Sequence, residues 1–227
     1  GETLDVDGSS ATGPLTLIGG AGANTLSGGT GSDTLTGGSA ADVLETGNGT
    51  NLVNAGAGAD TITGGTGADT INGEDGADTI DGINGANSIS GGAGNDTITG
   101  GAGADTISGG DGADAILSET GLDILTGGAG NDTFTIVANT SQFIYSSIQD
   151  AANGDILTFA NKGTEVDNGQ VTLGSNATFS DYIDTAVAGD GNTNGVFSWF
   201  TFGSNTYVVE DVSAAATYVA SADIIVE

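Results

Sequence analysis

Gly91-Gly92-Ala93-Gly94-Asn95-Asp96-Thr97-Ile98-Thr99 sets out, in nine residues, the unit from which much of this chain is built. A Gly-rich half is followed by an acidic residue, then by an apolar residue between two polar ones. The same frame runs without insertion from Gly19 to Thr135, thirteen units in all. A short period sustained over such a length marks a repeat architecture, in which each unit buries its apolar side against its neighbours. The eighth position is apolar throughout: Leu26, Leu35, Leu44, Val53, Ile62, Ile71, Ile80, Ile89, Ile98, Ile107, Ile116, Leu125 and Phe134, which predicts one core column. The fourth is Gly in twelve of thirteen units, Ala40 being the exception, as expected where the chain turns through conformations that a Cβ obstructs. The sixth is Asp in ten units and Asn24, Asn51 and Asn87 in the others, a column of oxygen ligands.

Charge says what kind of partner such a column needs. Thirty acidic side chains stand against one basic residue, Lys162, and a net charge of −29 opposes compaction unless something positive joins the fold. Nucleic acid is excluded as a partner, because phosphate binding relies on clustered Lys and Arg, and an anionic membrane surface would repel the chain. No apolar run approaches the roughly 20 residues needed to span a bilayer, so direct membrane insertion is not expected. With no Cys there is no disulfide to brace the fold, and bound metal is the natural substitute. The chain has no Met and begins at Gly1 without a charged-then-apolar leader, which reads as a piece of something longer. By composition alone, 43 Gly and a single Pro in so acidic a chain suggest disorder; the period overturns that reading.

The thirteen units resemble the RTX (repeats-in-toxin) nonapeptide, Gly-Gly-x-Gly-x-Asp-x-(apolar)-x, a calcium-binding repeat, over about half of the chain. The resemblance implies an all-β fold: a right-handed parallel β-roll in which six residues make a turn, three make a strand and two units complete one coil. Equivalent residues then recur every 18 positions, and strands stacked about 4.8 Å apart bring sixth-position oxygens close enough to share a cation with bonds of about 2.3–2.6 Å. One ladder is expected to run Asn24, Asp42, Asp60, Asp78, Asp96, Asp114, Asp132, and the other Asp33, Asn51, Asp69, Asn87, Asp105, Asp123. Turn carbonyls such as those of Gly58, Gly67, Gly76, Gly92, Gly94, Gly101 and Gly103 would supply further oxygens. Six gaps on one ladder and five on the other give up to about eleven calcium ions, whose 22 positive charges would nearly offset the formal −29. Carboxylates flank five consecutive gaps from Asp42 to Asp132, but only one, Asp105 to Asp123, on the second ladder. Tight filling is expected on the first and weak filling around Asn51 and Asn87, whose carbonyls would coordinate without adding charge. Oxygen ligands with no His or Cys favour calcium over zinc or copper, and magnesium's strict octahedron disfavours it. Without metal the facing carboxylates repel, and a largely disordered chain is expected.

Three regions follow: residues 1–18 as a degenerate coil or cap, 19–135 as the roll, and 136–227 as a mostly β C-terminal cap associated with secretion. Leu4, Val6, Leu15 and Leu17 keep some apolar alternation in the first. Near the end of the roll Ala115, Leu117 and Ile124, with Leu122 nearby, turn the outward strand positions apolar, and the C-terminal segment is expected to cover them. Beyond it, Phe134–Val137 and Ile156–Phe159 alternate, and Val196–Phe202 and Thr206–Val209 flank Gly203-Ser204-Asn205, a hairpin signal. Phe179–Ala188 reads as a short helix, and the aromatics around Trp199 as a capping core. Asp190, Asn192 and Asn194 match the start of an EF-hand-type loop, although Thr201 stands where its bidentate Glu belongs; a plain hairpin loop is the competing reading.

Catalysis is not expected, since zinc-protease motifs, Ser/His/Asp triads and Cys nucleophiles all need residue types this chain lacks. The family resemblance implies type I secretion, with the chain unfolded where calcium is scarce and folding outside the cell where it is plentiful. Absent Cys, one Lys, abundant Thr, Ala and Gly, and an aromatic strand segment after the repeats are similar to RTX-type bacterial surface-layer proteins. That resemblance implies a calcium-dependent structural module at the cell surface and self-association in a surface lattice. The alternative is the export and folding module of a secreted RTX enzyme, toxin or adhesin. An ice-binding module is the remaining reading, from Thr pairs such as Thr61 and Thr63 or Thr97 and Thr99, but Val43, Glu45, Leu52, Asp81 and Leu117 break those rows.

Overall fold

A computed structural model describes residues 1–137, 147–150, 155–160, 171–172, 196–202, 205–211 and 224–226. Position eight of every unit points inward because its polar neighbours point outward, the two-residue alternation of a half-buried strand. Consecutive units therefore lay their strands alternately on two parallel sheets that close over one core column. The first sheet runs from Asp5–Asp7 and Thr25–Gly29 through Thr61–Thr63 and Thr97–Thr99 to Thr133–Val137 and Ile156–Ala160. The second runs from Thr16–Gly20 through Thr70–Asp75 and Ser88–Ala93 to Ile124–Ala129 and Ser147–Ile148.

Within the repeats every pairing joins residues 18 apart: Ile62 with Ile80, Ile98 with Ile116, Ile71 with Ile89, Ile107 with Leu125. Twelve of the thirteen core-column residues are 0–1% exposed and Ile89 is 3% exposed, and a buried Ile is worth about 2–3 kcal/mol. Parallel pairing in constant register makes the roll a stack of near-identical layers, so whatever one residue does is repeated a coil later.

Strand length differs from the three residues implied for the family. In the first sheet the strands from Thr61 to Leu117 do have three, whereas those of the second from Leu52 to Ala129 have six, most continuing into the glycine pair. The fourth-position glycines explain their own column. Gly94 has φ 136°, and a Cβ there would run into the carbonyl oxygen of Gly76 one coil before. Among the described residues Glu74, Ile83 and Glu119 are the non-glycine residues with positive φ, each at the second position of a unit where most others carry Gly. Ala40 is not among them, and the fourth-position Gly22, Gly31 and Gly121 are not among the positive-φ glycines either.

Residues 1–18 supply two strands that extend both sheets: Val6 pairs with Leu26 across 20 residues and Leu17 with Leu35 across 18, and both pack against the core column. Leu4 is exposed. At the other end Ile124 pairs with Ser147 and Phe134 with Leu157, so each sheet continues beyond the last nonapeptide after an insertion of five residues. Leu122 and Ile124 are 52% and 39% exposed, and the C-terminal segment expected to cover them lies mostly outside the described residues. The hairpin signal marks an antiparallel pair, Val196–Phe202 with Asn205–Asp211, joined in register by Phe202 opposite Asn205 and extended by Ile224–Val226. The helix at 179–188 falls outside the described residues. The outward Thr rows are interrupted where Thr61 faces Val43 and where Thr63 and Thr99 flank Asp81.

Two substitutions should move stability in opposite directions. Gly94→Ala should cost about 2–4 kcal/mol, from the collision with Gly76 and a left-handed backbone. Glu74→Gly, at an exposed residue with φ 72°, should gain about 1 kcal/mol. Urea unfolding in saturating calcium measures both.

Candidate metal centre

The sixth position of each unit ends a turn just before its strand, so the same register that stacks the core column stacks these side chains along the two edges of the roll. All thirteen, Asn24 through Asp132, are 1–2% exposed. Burying ten carboxyl groups in this way is costly unless each oxygen has a partner. One oxygen does. Oδ1 of each residue accepts the backbone N–H of its equivalent one coil earlier: Asp60 from Asp42 at 2.7 Å, Asp78 from Asp60 at 2.8 Å, Asp96 from Asp78 at 2.8 Å, Asp114 from Asp96 at 2.8 Å, Asp132 from Asp114 at 2.9 Å. On the other edge Asp123 accepts from Asp105 at 3.0 Å.

The second oxygen tells a different story. Oδ2 of Asp42, Asp60, Asp69, Asp78, Asp96, Asp105 and Asp114 is buried and has no hydrogen-bond partner. For six of the seven, all but Asp60, a Cβ built on the first-position glycine of the same unit would lie close both to this Oδ2 and to the first-position carbonyl oxygen one coil on. The point where Gly37 would carry a Cβ lies 2.5 Å from Asp42 Oδ2 and 2.5 Å from the Ala55 carbonyl oxygen. Beside Gly64 the corresponding distances are 3.0 Å to Asp69 Oδ2 and 3.0 Å to the Gly82 oxygen; beside Gly100 they are 2.8 Å to Asp105 Oδ2 and 3.1 Å to the Ser118 oxygen. A buried carboxylate oxygen without a donor, with a carbonyl oxygen close by, is electrostatically unfavourable, and a cation would relieve it. Among the described residues no three His, Cys, Asp or Glu side chains converge on one point, so the ladder offers two carboxylates at a time plus main-chain oxygens. That donor set is hard and all-oxygen, and it fits calcium.

Burial pushes the ladder carboxyls upward. It raises Asp60, Asp96, Asp114 and Asp132, and carries Asp69, Asp78 and Asp105 to about 6, against a partial offset from the backbone N–H each accepts. Like charges add to it, Asp60 and Asp96 acting on Asp78, and Asp123 on Asp105.

The asparagines are arranged otherwise than expected. Their Oδ1 atoms take the backbone N–H, from Leu4 to Asn24 at 3.0 Å, Asp33 to Asn51 at 2.8 Å and Asp69 to Asn87 at 2.9 Å, so the atom in the place of Oδ2 is the amide nitrogen. An NH2 group donates protons, so in this structure Asn24, Asn51 and Asn87 turn a donor to that side, where a carbonyl toward calcium was expected. Some turn carbonyls already carry hydrogen bonds. Asn24 and Asn51 donate to the fourth-position oxygens of Gly22 at 2.5 Å and Gly49 at 3.4 Å, places equivalent to Gly58, Gly67, Gly76, Gly94 and Gly103. Gly101, by contrast, spends its oxygen on the Thr120 N–H, and Gly92 lies in the second sheet opposite Gly110. First-position carbonyl oxygens, which the motif left unassigned, also lie near Oδ2.

Three more residues escaped the sequence reading. Asp155 is 2% exposed and accepts the Asp132 N–H at 2.9 Å across 23 residues, so the first ladder continues one rung past the repeats. Asp150 accepts the N–H groups of Gly127 and Gly128, both at 2.8 Å. Asp155-Ile156-Leu157 repeats the Asp-x-apolar signature, hidden by the five-residue insertion. Thr46, fully buried in the first-position column, donates its hydroxyl to the Gly64 oxygen. Asp190, Asn192 and Asn194 lie outside the described residues.

A parallel β-solenoid with stacked, half-satisfied carboxylates along its edges has the make-up of a metal-binding repeat scaffold. Four matches to the RTX calcium-binding nonapeptide repeat cover residues 18–53, 54–82, 81–116 and 108–135, more than half of the chain, and the chain belongs to that family. Comparison with curated proteins gives no match. Repeats of this family bind calcium, and the proteins that carry them are typically secreted.

Protons should substitute in part for the metal. A carboxyl whose pKa rises on folding favours the fold below its unfolded value of 3.8, and that contribution is lost as the pH climbs through about 6 for Asp69, Asp78 and Asp105. In excess chelator, circular dichroism should therefore show strand content increasing from pH 7 to pH 4. A metal-free chain better folded at pH 7 would contradict the assignment.

Proposed function

We propose that this chain is a calcium-dependent structural module of a secreted bacterial surface-layer protein, without catalytic activity of its own. The observation that carries the calcium part is the set of seven buried carboxylate oxygens without partners. Calcium, when bound, supplies the positive charge and the hard acid centre that such oxygens require. The chain's own contribution is positional: Asp42 through Asp132 hold their second oxygens on one edge at coil spacing, and Asp69 and Asp105 do so on the other. Glycines keep the intervening space open, as at Gly37 and Gly91.

Coupling between cation and fold suits export. A chain of net charge −29 repels itself when the ladder is unfilled, which keeps it extended through a type I secretion channel, and it closes into the roll where calcium is plentiful. The surface-coat assignment rests on composition: no Cys, one Lys, and polar Thr- and Gly-rich faces. Lateral association through those faces is part of the proposal.

At neutral pH most strand signal should disappear in excess chelator and return in millimolar calcium. Electron microscopy of the full protein under the same two conditions tests the coat: sheets that dissolve on chelation support it. Monomers dispersed in both conditions reject the coat while leaving calcium-dependent folding intact; unchanged strand content in chelator rejects both.

A further inference from the structure

The three asparagines share a feature that separates their rungs from all the others. In an aspartate rung, a first-position carbonyl on the next coil faces a carboxylate oxygen. In an asparagine rung the equivalent carbonyl already has a proton donor. The Gly37 oxygen receives Asn24 Nδ2 at 3.4 Å, and the Gly100 oxygen receives Asn87 Nδ2 at 3.5 Å, with a second contact from the same amide to Gly82 at 3.3 Å. At the Asn51 rung the Gly64 oxygen is taken by the Thr46 hydroxyl, which frees the Asn51 amide to donate to Asp69 Oδ1 at 2.9 Å. The Asn24 amide likewise reaches Asp42 Oδ1 at 2.9 Å.

Amide orientation is often a matter of assignment, but here chemistry decides it: each Oδ1 receives a backbone N–H, and an NH2 group in its place would set donor against donor. None of the three asparagines has a buried side-chain atom left without a partner, whereas seven of the aspartates do. A site lined by N–H and O–H donors repels a cation, and it needs none to stay closed.

We propose that the rungs at Asn24, Asn51 and Asn87 are metal-free fasteners, in which side-chain N–H and O–H donors do between coils what calcium does elsewhere. This rests on the calcium reading of the aspartate rungs and divides the roll accordingly. Calcium fills a continuous row on the edge from Asp42 to Asp132. On the opposite edge hydrogen-bonded rungs interrupt the row, and there the coils stay joined when calcium is withdrawn. At the Asn51 rung the closing donor is the Thr46 hydroxyl.

Bound calcium per full chain, counted by native mass spectrometry with isothermal titration, tests this directly. Asn87→Asp should bind one more ion than the natural sequence and should melt at a lower temperature in chelator. Asn51→Asp alone should add none, because Thr46 still occupies the Gly64 oxygen, and Asn51→Asp with Thr46→Gly should add one. In the reverse sense, Asp105→Asn should lose one ion and melt at a higher temperature in chelator, an arm that stands even if the added-charge variants fail to fold. Calcium-loaded protein with the same count in Asn87→Asp and the natural sequence, or Asp105→Asn with no loss, overturns the proposal. A natural sequence that binds no calcium at all overturns the underlying calcium reading instead.

Discussion

Repulsion between oxygens held at coil spacing is the constraint on which this structure depends. Parallel stacking in constant register saves sequence information, since one nonapeptide specifies every layer, but it also places each carboxylate against its own copy. The backbone relieves half of that cost by sending one N–H to each Oδ1. Nothing on the protein relieves the other half at Asp42, Asp60, Asp69, Asp78, Asp96, Asp105 and Asp114. The core column cannot compensate alone: one apolar residue per nonapeptide is a thin core for a chain so rich in glycine, whose ordering is entropically expensive. Stability has to come from the edges.

Placing the sites at the edges ties folding to conditions outside the chain. Protonation and divalent cations act on the same oxygens, so acid and calcium both favour the roll. Hydrogen-bonded asparagine rungs respond to neither in the same way. A solenoid that mixes the two kinds of rung can keep local structure at low calcium and complete it at high calcium, because neighbouring coils couple mainly to each other.

Much of this was legible from the nine-residue period. The core column, the two ladders and the 18-residue register all follow from the alternation around positions such as Ile98 and Asp96, because a parallel stack admits few other arrangements. What the period could not convey was direction within a side chain. Asp and Asn have the same shape and occupy the same column, and only the hydrogen bonds reveal that Asn51 turns a donor where Asp69 turns an acceptor. The first-position carbonyls were missed for a related reason, since every residue has a carbonyl and its orientation leaves no trace in residue identity. Asp155 was missed because a five-residue insertion breaks the frame without breaking the ladder. The hairpin at 203–205 was readable because its turn residues sit between two alternating runs, whereas the exposure of Leu122 and Ile124 depends on what a distant segment does.

Diffraction from crystals grown in millimolar calcium, collected where calcium scatters anomalously, tests the central claim most directly. The account predicts a row of anomalous peaks along the edge from Asp42 to Asp132, repeating at the coil spacing of about 4.8 Å and lying against the Oδ2 atoms. Intact coils with no peaks beside those oxygens would contradict it.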